Sequence, residues 1–225
     1  MAAQVYFVFT EAPDGVDAAT FERRHDTDSR RLLADAGFEA LRRFTMAPDV
    51  GTIPPIMYTH MALYTVDDAA ASRGRIIGSD ASWAPDVRAA SFRGYALEEP
   101  TIDLARLGHI YLVFTKPPPQ VTVPQFFEWY VTHMRENLTA DGFDAAWRYR
   151  VERDVVDPLA PSDAVHAALY EVHGELPELR ASLDRAEKDG RVVFPEWFPG
   201  MRLACLDCYA ISEVIDTAAG GFARD

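Results

Sequence analysis

Two histidines stand at matching places in the sequence. "HMALY" begins at His60 and "HAALY" begins at His166, so each histidine precedes a tyrosine, Tyr64 or Tyr170, by four residues in an apolar run. Imidazole is the side chain best suited to move a proton near neutral pH, and a phenol can orient an oxygen atom of a bound ring. Both histidines are therefore candidate acid/base catalysts, with a purely structural role as the alternative for each.

Two further histidines and two arginines extend this set. His25 lies in "FERRHDTDSRRLL" and His133 in "FFEWYVTHMRENL", and we count His133 among the acid/base candidates. A guanidinium binds a carboxylate through two parallel hydrogen bonds, so Arg148 is a candidate to hold a carboxylate or phenolate, with ordinary ion pairing as the alternative. The candidate substrate-binding residues are Tyr6, Tyr111, Arg43, Tyr64, Tyr170, Tyr130, His25 and Tyr209.

These residues repeat because the chain is a duplication. "VYFVFT" at Val5–Thr10 recurs as "IYLVFT" at Ile110–Thr115, and 110 minus 5 gives a displacement of 105 residues. The same displacement aligns "GFEALRRF" with "GFDAAWRY", and it aligns His25 with Tyr130 and Asp28 with His133. A repeat of about one hundred residues indicates two copies of one structural unit. The two copies differ in their helix histidines, so the two ends of the molecule should differ chemically.

Each unit shows alternating strand and helix patterns in the order βαββαβ. "TVPQFFEWYVTHMRENLTADG" has Thr122 and Gln125 at capping-box spacing and Pro124 early, which predicts a helix that closes at Gly142. The order is that of a ferredoxin-like unit, whose sheet has helices on one face and needs cover on the other. We predict an α+β fold in which two fused ferredoxin-like repeats form a dimeric α+β barrel within one chain. The predicted parts are residues 1–100, a linker at 101–108, residues 109–215 and a tail at 216–225.

Strand alternation sorts the side chains by face. The uniformly apolar set in the first strands, which includes Phe7 and Phe114, is expected to lie under the helices. The opposite set carries the polar groups and is expected to line a cavity between the two sheets. That set comprises Tyr6, His60, Tyr64, Tyr111, His166 and Tyr170, joined by Arg43 and Arg148 from the second strands. Phe38, Phe44, Phe143 and Tyr149 are expected on the helix side.

Composition excludes several classes of partner. A formal charge of −13 disfavours nucleic acids and anionic membranes, which the field of the protein would repel. The apolar runs are shorter than a membrane span and the N-terminal segment does not resemble a signal peptide, so we expect a cytoplasmic protein with a small aromatic substrate. A homodimer is possible but not required to close the barrel.

The sequence gives no sign of a cofactor or a metal. Phosphate-binding glycine loops, nucleophile elbows and zinc-type histidine spacings do not occur, so we expect neither. Cys205 and Cys208 would point to opposite faces of one strand and are interpreted as small buried apolar residues.

The helix "FFEWYVTHMRENL" followed by "GFDAAWRYR" resembles the EthD-like group of dimeric α+β barrel proteins. In that group the first helix commonly carries a Phe, a Tyr or Trp, and then a His, which here is His133. In the first repeat Asp28 replaces that histidine. The resemblance implies a central pocket and cofactor-free chemistry on aromatic or polyketide-like compounds. The wider superfamily also includes haem proteins, but no haem motif stands out here.

The leading hypothesis is a cofactor-independent lyase, a decarboxylase or dehydratase of a small aromatic compound. His60, His166 or His133 would move the proton while an arginine held the carboxylate or phenolate. A cofactor-free monooxygenase of a polyphenol is the alternative enzyme, and a non-catalytic protein that binds aromatic ligands is the third hypothesis.

Overall fold

The computed structural model describes residues 4–48, 58–66, 87–97, 102–155 and 164–217. The strands are β1 (Gln4–Glu11), β2 (Ala40–Pro48), β3 (His60–Val66), β4 (Arg88–Ala96), β5 (His109–Lys116), β6 (Phe143–Val155), β7 (His166–Val172), β8 (Arg202–Ala210) and β9 (Ile215–Asp216). The helices are α1 (Ala18–Ala36), α2 (Val123–Asn137) and α3 (Leu176–Lys188), with short 3-10 turns at Leu104–Arg106 and Phe198–Gly200. The predicted second helix of the first repeat falls within residues 67–86, outside the described part of the chain.

The two repeats form one closed antiparallel barrel. Its strand order is β3-β1-β4-β6-β7-β5-β8-β2, and β2 pairs with β3 to complete the ring. Within each repeat the order is that of a ferredoxin-like sheet, and the repeats join through the pairs β4–β6 and β2–β8. The predicted fold, two fused ferredoxin-like repeats in an α+β barrel, is confirmed. Strand β9 extends β2 outside the ring, and the proposed domain boundaries remain predictions.

Local sequence signals set the helix ends. Thr122 and Gln125 form the predicted capping box at the start of α2, with Pro124 in the first turn. The prediction that this helix closes at Gly142 is wrong, because the helix ends at Asn137 and residues 138–142 form tight turns. Gly142 adopts a φ of 93° there, and a Cβ atom would come within 2.9 Å of the His173 carbonyl oxygen. No helix in the described segments is long and apolar enough to cross a membrane.

The barrel interior is a packed apolar core. Phe7 of the first repeat lies 5.5 Å from Phe114 of the second between ring centroids, and Phe9 lies 5.6 Å from the same ring. The expectation that this set lies under the helices is therefore wrong. The most apolar faces of the two sheets meet each other because that contact removes the most apolar surface from water. Phe44 and Tyr149 also point into the barrel, contrary to expectation, whereas Phe38 and Phe143 lie on the helix side as predicted.

The opposite strand faces, with their polar groups, lie under the helices. The expectation that they line a space between the two sheets is corrected accordingly. It concerns Tyr6, Arg43, His60, Tyr64, Tyr111, Arg148, His166 and Tyr170, which lie on the outer face of the barrel. Cys205 belongs to this outer layer and Cys208 to the barrel core, which confirms their predicted opposite orientation and burial.

The connection between the repeats packs against the barrel core. Ile102, Leu104 and Leu107 are buried with the core residues. Arg42 extends to this segment and its Nη1 donates to the carbonyl oxygens of Leu104, at 2.7 Å, and Ala105, at 2.9 Å. The guanidinium thus satisfies backbone acceptors at the 3-10 turn, which a buried polar segment requires.

Candidate active site

A cavity of about 230 Å³ lies in the second repeat, between the outer face of its sheet and helices α2 and α3. Its walls are mainly apolar, and its polar groups come from five elements. The apolar lining residues are Val113, Phe143, Leu183, Val192, Phe194, Phe198, Met201 and Leu203. The polar lining residues are Tyr111, Tyr130, His133, Asn137, Tyr170 and Cys205, with the acids Asp184 and Glu187 from α3. A mainly apolar concave space with few polar groups is the usual form of a small-molecule site.

Helix α2 supplies the polar side chains through its periodicity. Phe126, Tyr130, His133 and Asn137 are all buried on one helix face. Spacings of three and four residues place such side chains in line toward the sheet. Tyr170 comes from β7 and Tyr111 from β5, so helix and strands each contribute to the same cavity.

Asn137 connects the two side chains of the cavity that are best suited to acid/base chemistry, His133 and Tyr170. Its Nδ2 donates to the Tyr170 hydroxyl at 3.0 Å and lies 3.3 Å from Nε2 of His133. One amide nitrogen carries two N–H bonds, so it can serve both partners at once. A further hydrogen bond reaches Tyr170 from Tyr130. The network joins a base and a phenol inside an apolar cavity.

His133 is a neutral base at physiological pH. Burial lowers the pKa of His133 to about 4, since the apolar surroundings disfavour the charged imidazolium. The ring stacks on Trp129 at 4.5 Å between centroids. Because Nε2 accepts from Asn137, the single proton of the neutral ring is on Nδ1, which is buried and has no hydrogen-bond partner among the described residues. The 3.3 Å contact at Nε2 is long, so that lone pair is only weakly engaged.

The buried tyrosines are neutral donors. Burial raises the pKa of Tyr170 to about 12, opposed by hydrogen bonds from Asn137 and Tyr130 and by the charge of Arg148. Burial also raises the pKa of Tyr130 well above its ordinary value, and that of Tyr111 likewise. Tyr170 receives two hydrogen bonds at its oxygen, which makes it the better proton donor of the Tyr130–Tyr170 pair.

His166 lies behind the cavity and is not one of its lining residues. It is fully buried, its Nδ1 lies 3.1 Å from Oγ1 of Thr115, and its ring lies 4.1 Å from the Tyr130 ring. Burial and the nearby Arg148 and His133 lower the pKa of His166 well below its ordinary value. His166 therefore supports Tyr130 from the sheet side.

Both candidate arginines hold helices to the sheet. Arg148 is 4% exposed, and its Nη1 donates to the carbonyl oxygen of Phe127 in α2 at 3.1 Å. Arg43 donates to the Glu22 carbonyl oxygen at 3.4 Å and forms an ion pair with Asp26 of α1 at 2.8 Å. The cavity lining, within the described residues, contains neither arginine nor lysine. A carboxylate clamp is thus not assembled at this cavity.

The remaining predicted residues of the first repeat lie between α1 and the sheet. The His25 and His60 rings lie 5.3 Å apart, and burial lowers the pKa of His25 to about 3. The Tyr64 hydroxyl donates to the Ser29 carbonyl oxygen at 3.2 Å, and the Tyr6 hydroxyl to Ser91 at 3.0 Å. None of these residues reaches the cavity of the second repeat.

Tyr209 stands apart from the cavity. It is 38% exposed and stacks on His109 at 4.2 Å between ring centroids. Nε2 of His109 lies 2.6 Å from Asp207, so this strand end carries a histidine and carboxylate pair of its own.

The structure thus brings four predicted residues together in one cavity and adds others. The predicted members are Tyr111, Tyr130, His133 and Tyr170, while Asn137, Cys205, Asp184 and Glu187 were not predicted. Asn137 follows His133 by four residues on the same helix face, and this spacing is the signal that would have found it.

Comparison with known proteins shows similarity at the level of the fold. No protein-family model matches the sequence, and no curated protein matches it. An arginine-to-lysine variant of chlorite dismutase from Candidatus Nitrospira defluvii has 9% identity and a TM-score of 0.53 over 94% of this chain and 92% of that one. A tryptophan-to-phenylalanine variant of that enzyme, in complex with cyanide, has 9% identity and a TM-score of 0.53 over 93% and 91%. An anthrone oxidase-like protein has 13% identity and a TM-score of 0.46 over 96% and 93%. The dimeric α+β barrel is therefore shared with chlorite dismutase.

The lining of the described cavity does not fit a haem group. A haem group carries two negatively charged propionates that its site must hold. Propionates need cationic partners, whereas the charged lining residues here are Asp184 and Glu187. Among the described residues, no three His, Cys, Asp or Glu side chains come together to hold a metal ion.

Proposed function

We propose that the cavity of the second repeat oxygenates a neutral phenol or hydroaromatic ketone with molecular oxygen, and that His133 is the catalytic base. This gives preference to the cofactor-free monooxygenase over the lyase. The observation that supports it best is the hydrogen-bonded network of a neutral histidine, an amide and a phenol in a mainly apolar cavity. The described lining of this cavity has no cation that could bind a carboxylate. A neutral, electron-rich ring system matches that lining.

The first step is removal of a proton from the substrate. A phenolic O–H or an activated C–H takes the place of the Asn137 N–H at Nε2 of His133, and Nε2 accepts the proton. Tyr170 donates its hydroxyl proton in a hydrogen bond to the substrate oxygen, where negative charge develops. Fixed hydrogen-bond donors that stabilise such charge typically accelerate a reaction by about 10²–10³-fold. A well-positioned general base contributes a further factor of about 10²–10⁴.

The second step joins the carbanion to oxygen. A C–O bond forms between the substrate carbon and O2, and the distal oxygen takes the proton from His133 to give a hydroperoxide. Loss of water then converts the carbon to a carbonyl. Overall a CH2 group and O2 give C=O and H2O, so four electrons pass from carbon to oxygen and dioxygen is the sole oxidant. In a phenol, one ring hydrogen and the phenolic hydrogen are lost instead, and the product is a quinone and water.

Oxygen uptake with two defined probes, anthrone and a dihydroxynaphthalene, tests this function. The protein should accelerate uptake above the spontaneous rate, and His133→Gln should lower that acceleration by about a hundredfold or more, since the base is lost. His173→Gln is the matched control, because His173 is exposed and paired with Asp144 at 2.8 Å, away from the cavity lining. Uptake no faster than the spontaneous rate, or equal uptake by His133→Gln, would contradict the proposal.

A dehydratase is the second candidate, and one observation favours it. Tyr170 receives two hydrogen bonds and faces the same cavity as His133, so an acid and a base are present for loss of a hydroxyl group. Product formed equally well without oxygen would support this lyase. Tight binding of both probes without any conversion would instead indicate a ligand-binding protein.

A further inference from the structure

Glu136 lies beside His133 and has no role in the proton transfer described above. Its Oε2 is 3.8 Å from Nδ1 of His133, and its side chain is 21% exposed against 7% for His133. Nδ1 is buried without a hydrogen-bond partner among the described residues. A carboxylate therefore stands close to an imidazole N–H that has nothing else to bind.

The Glu136 carboxylate becomes important when His133 is protonated. Neutral His133 carries its proton on Nδ1, so accepting a substrate proton at Nε2 produces an imidazolium with both N–H bonds in a buried site. A buried cation is costly unless an opposite charge lies near it, and the attraction between two charges about 4 Å apart is strong away from bulk water. A carboxylate on the far side of the ring stabilises the imidazolium and fixes which nitrogen carries the resting proton.

Glu136 is held in place by the wall of the cavity. Its Oε2 accepts the backbone N–H of Val193 at 3.1 Å, next to the lining residues Val192 and Phe194. The same carboxylate oxygen thus faces both the cavity wall and Nδ1 of His133. This contact orients the carboxylate without needing a further side chain.

We propose that Glu136 is the positioning residue of His133, which sets its tautomer and stabilises the imidazolium formed when the substrate proton is taken. The inference rests on the proposed function for its catalytic consequence, but not for its effect on the imidazole itself. Other ionisable or charged groups also face His133 or its immediate neighbours. They are Tyr130 on α2, Arg148 on β6, His166 and Tyr170 on β7, Tyr111 on β5, Cys205 on β8, and Asp184 and Glu187 on α3. Among Glu136, Asp184 and Glu187, Glu136 is the acid with a carboxylate oxygen within 4 Å of the His133 ring.

Glu136→Gln tests the inference, because it keeps an oxygen for the Val193 N–H and removes the charge. With isotope-labelled histidine, NMR at neutral pH should show a larger fraction of His133 with its proton on Nε2, and protonation on acidification should require a lower pH. On a probe that the wild type oxygenates, kcat should fall by about tenfold while KM stays within about twofold, since an oriented carboxylate acts in the step rather than in binding. Glu136→Asp should recover part of the loss.

Glu128→Gln is the control, as Glu128 is exposed on the same helix and its substitution changes the net charge equally. It should leave the His133 signals and kcat unchanged. Unaltered His133 tautomer and titration in Glu136→Gln would overturn the inference, even if the variant were less stable. The NMR measurement needs no turnover, so it decides the role of Glu136 whether or not the oxygenase proposal holds.

Discussion

Asn137 shows how a single residue makes one repeat chemically distinct. At a displacement of 105 residues its counterpart in the first repeat is Leu32, which is 7% exposed in an apolar cluster. His133 likewise corresponds to Asp28, which pairs with Arg31 at 2.5 Å. The histidine and amide pair therefore exists in the second repeat and not at the aligned positions of the first. The sequence suggested His133, but Asn137 lacks a repeated partner and was missed.

Replacing Asn137 by the residue of the first repeat is a direct test of the network. Asn137→Leu should lower the rate of oxygen uptake by about 10²–10³, because the Tyr170 hydroxyl loses a donor that orients it toward the substrate. Steady-state kinetics should place the loss in kcat. Leu32→Met in the other repeat should leave the rate unchanged, and an active Asn137→Leu variant would exclude the amide from the mechanism.

The strands and helices illustrate what sequence patterns can and cannot predict. The duplicated strands and the capping box of α2 followed from β-branched and aromatic runs and from cap spacing, which are local signals. The orientation of the strands did not follow, because alternation separates two faces without saying which one meets the other sheet. Polar groups such as His166 were placed toward the barrel axis, yet they lie under the helices, where Thr115 and helix residues supply their contacts. The packing of Phe7 against Phe114 shows which face of the strands points into the barrel, and this contact requires both repeats.

The packed barrel interior predicts a specific sensitivity at Gly94 in β4. A Cβ atom there would lie 2.7 Å from Cγ2 of Val5 and 3.1 Å from Cε2 of Phe7. Gly94→Ala should therefore lower the free energy of unfolding by about 1–3 kcal/mol, as overpacked cores do. Gly108→Ala, where a Cβ atom meets nothing within 4 Å, is the matched control and should change stability by less than about 0.5 kcal/mol. Denaturant unfolding gives both values, and equal values would argue against a filled barrel.

In the molecule as a whole, buried neutral histidines make the stability of both repeats depend on pH. Burial lowers the pKa of His25 to about 3 and that of His133 to about 4, and it also lowers the pKa values of His60 and His166. The unfolded chain binds these protons near pH 6.5, whereas the folded protein does not. Stability from this source is complete above that pH and falls as the pH decreases toward the folded pKa values.

We therefore expect acid destabilisation to begin well above the range in which carboxylates protonate. Between pH 6.5 and 5, His25 and His133 should each lower the free energy of unfolding by on the order of 2 kcal/mol. Urea unfolding at the two pH values measures the total, and His25→Gln should show a smaller fall than the wild type. His173→Gln should not reduce the fall, because Asp144 raises the pKa of that exposed histidine. A stability that is flat over this interval would contradict the neutral state of the buried histidines.

The stoichiometry of oxygen consumption on a neutral aromatic probe and on its carboxylated analogue distinguishes an oxygenase from a decarboxylase at this cavity. An oxygenase at this cavity should consume one O2 per molecule of carbonyl product from the neutral probe, at a rate that depends on His133. The analogue should react much more slowly, since Asp184 and Glu187 line the cavity and the described lining has no cation for the carboxylate. Conversion of the carboxylated compound with release of carbon dioxide and no oxygen uptake would show that the site is a decarboxylase.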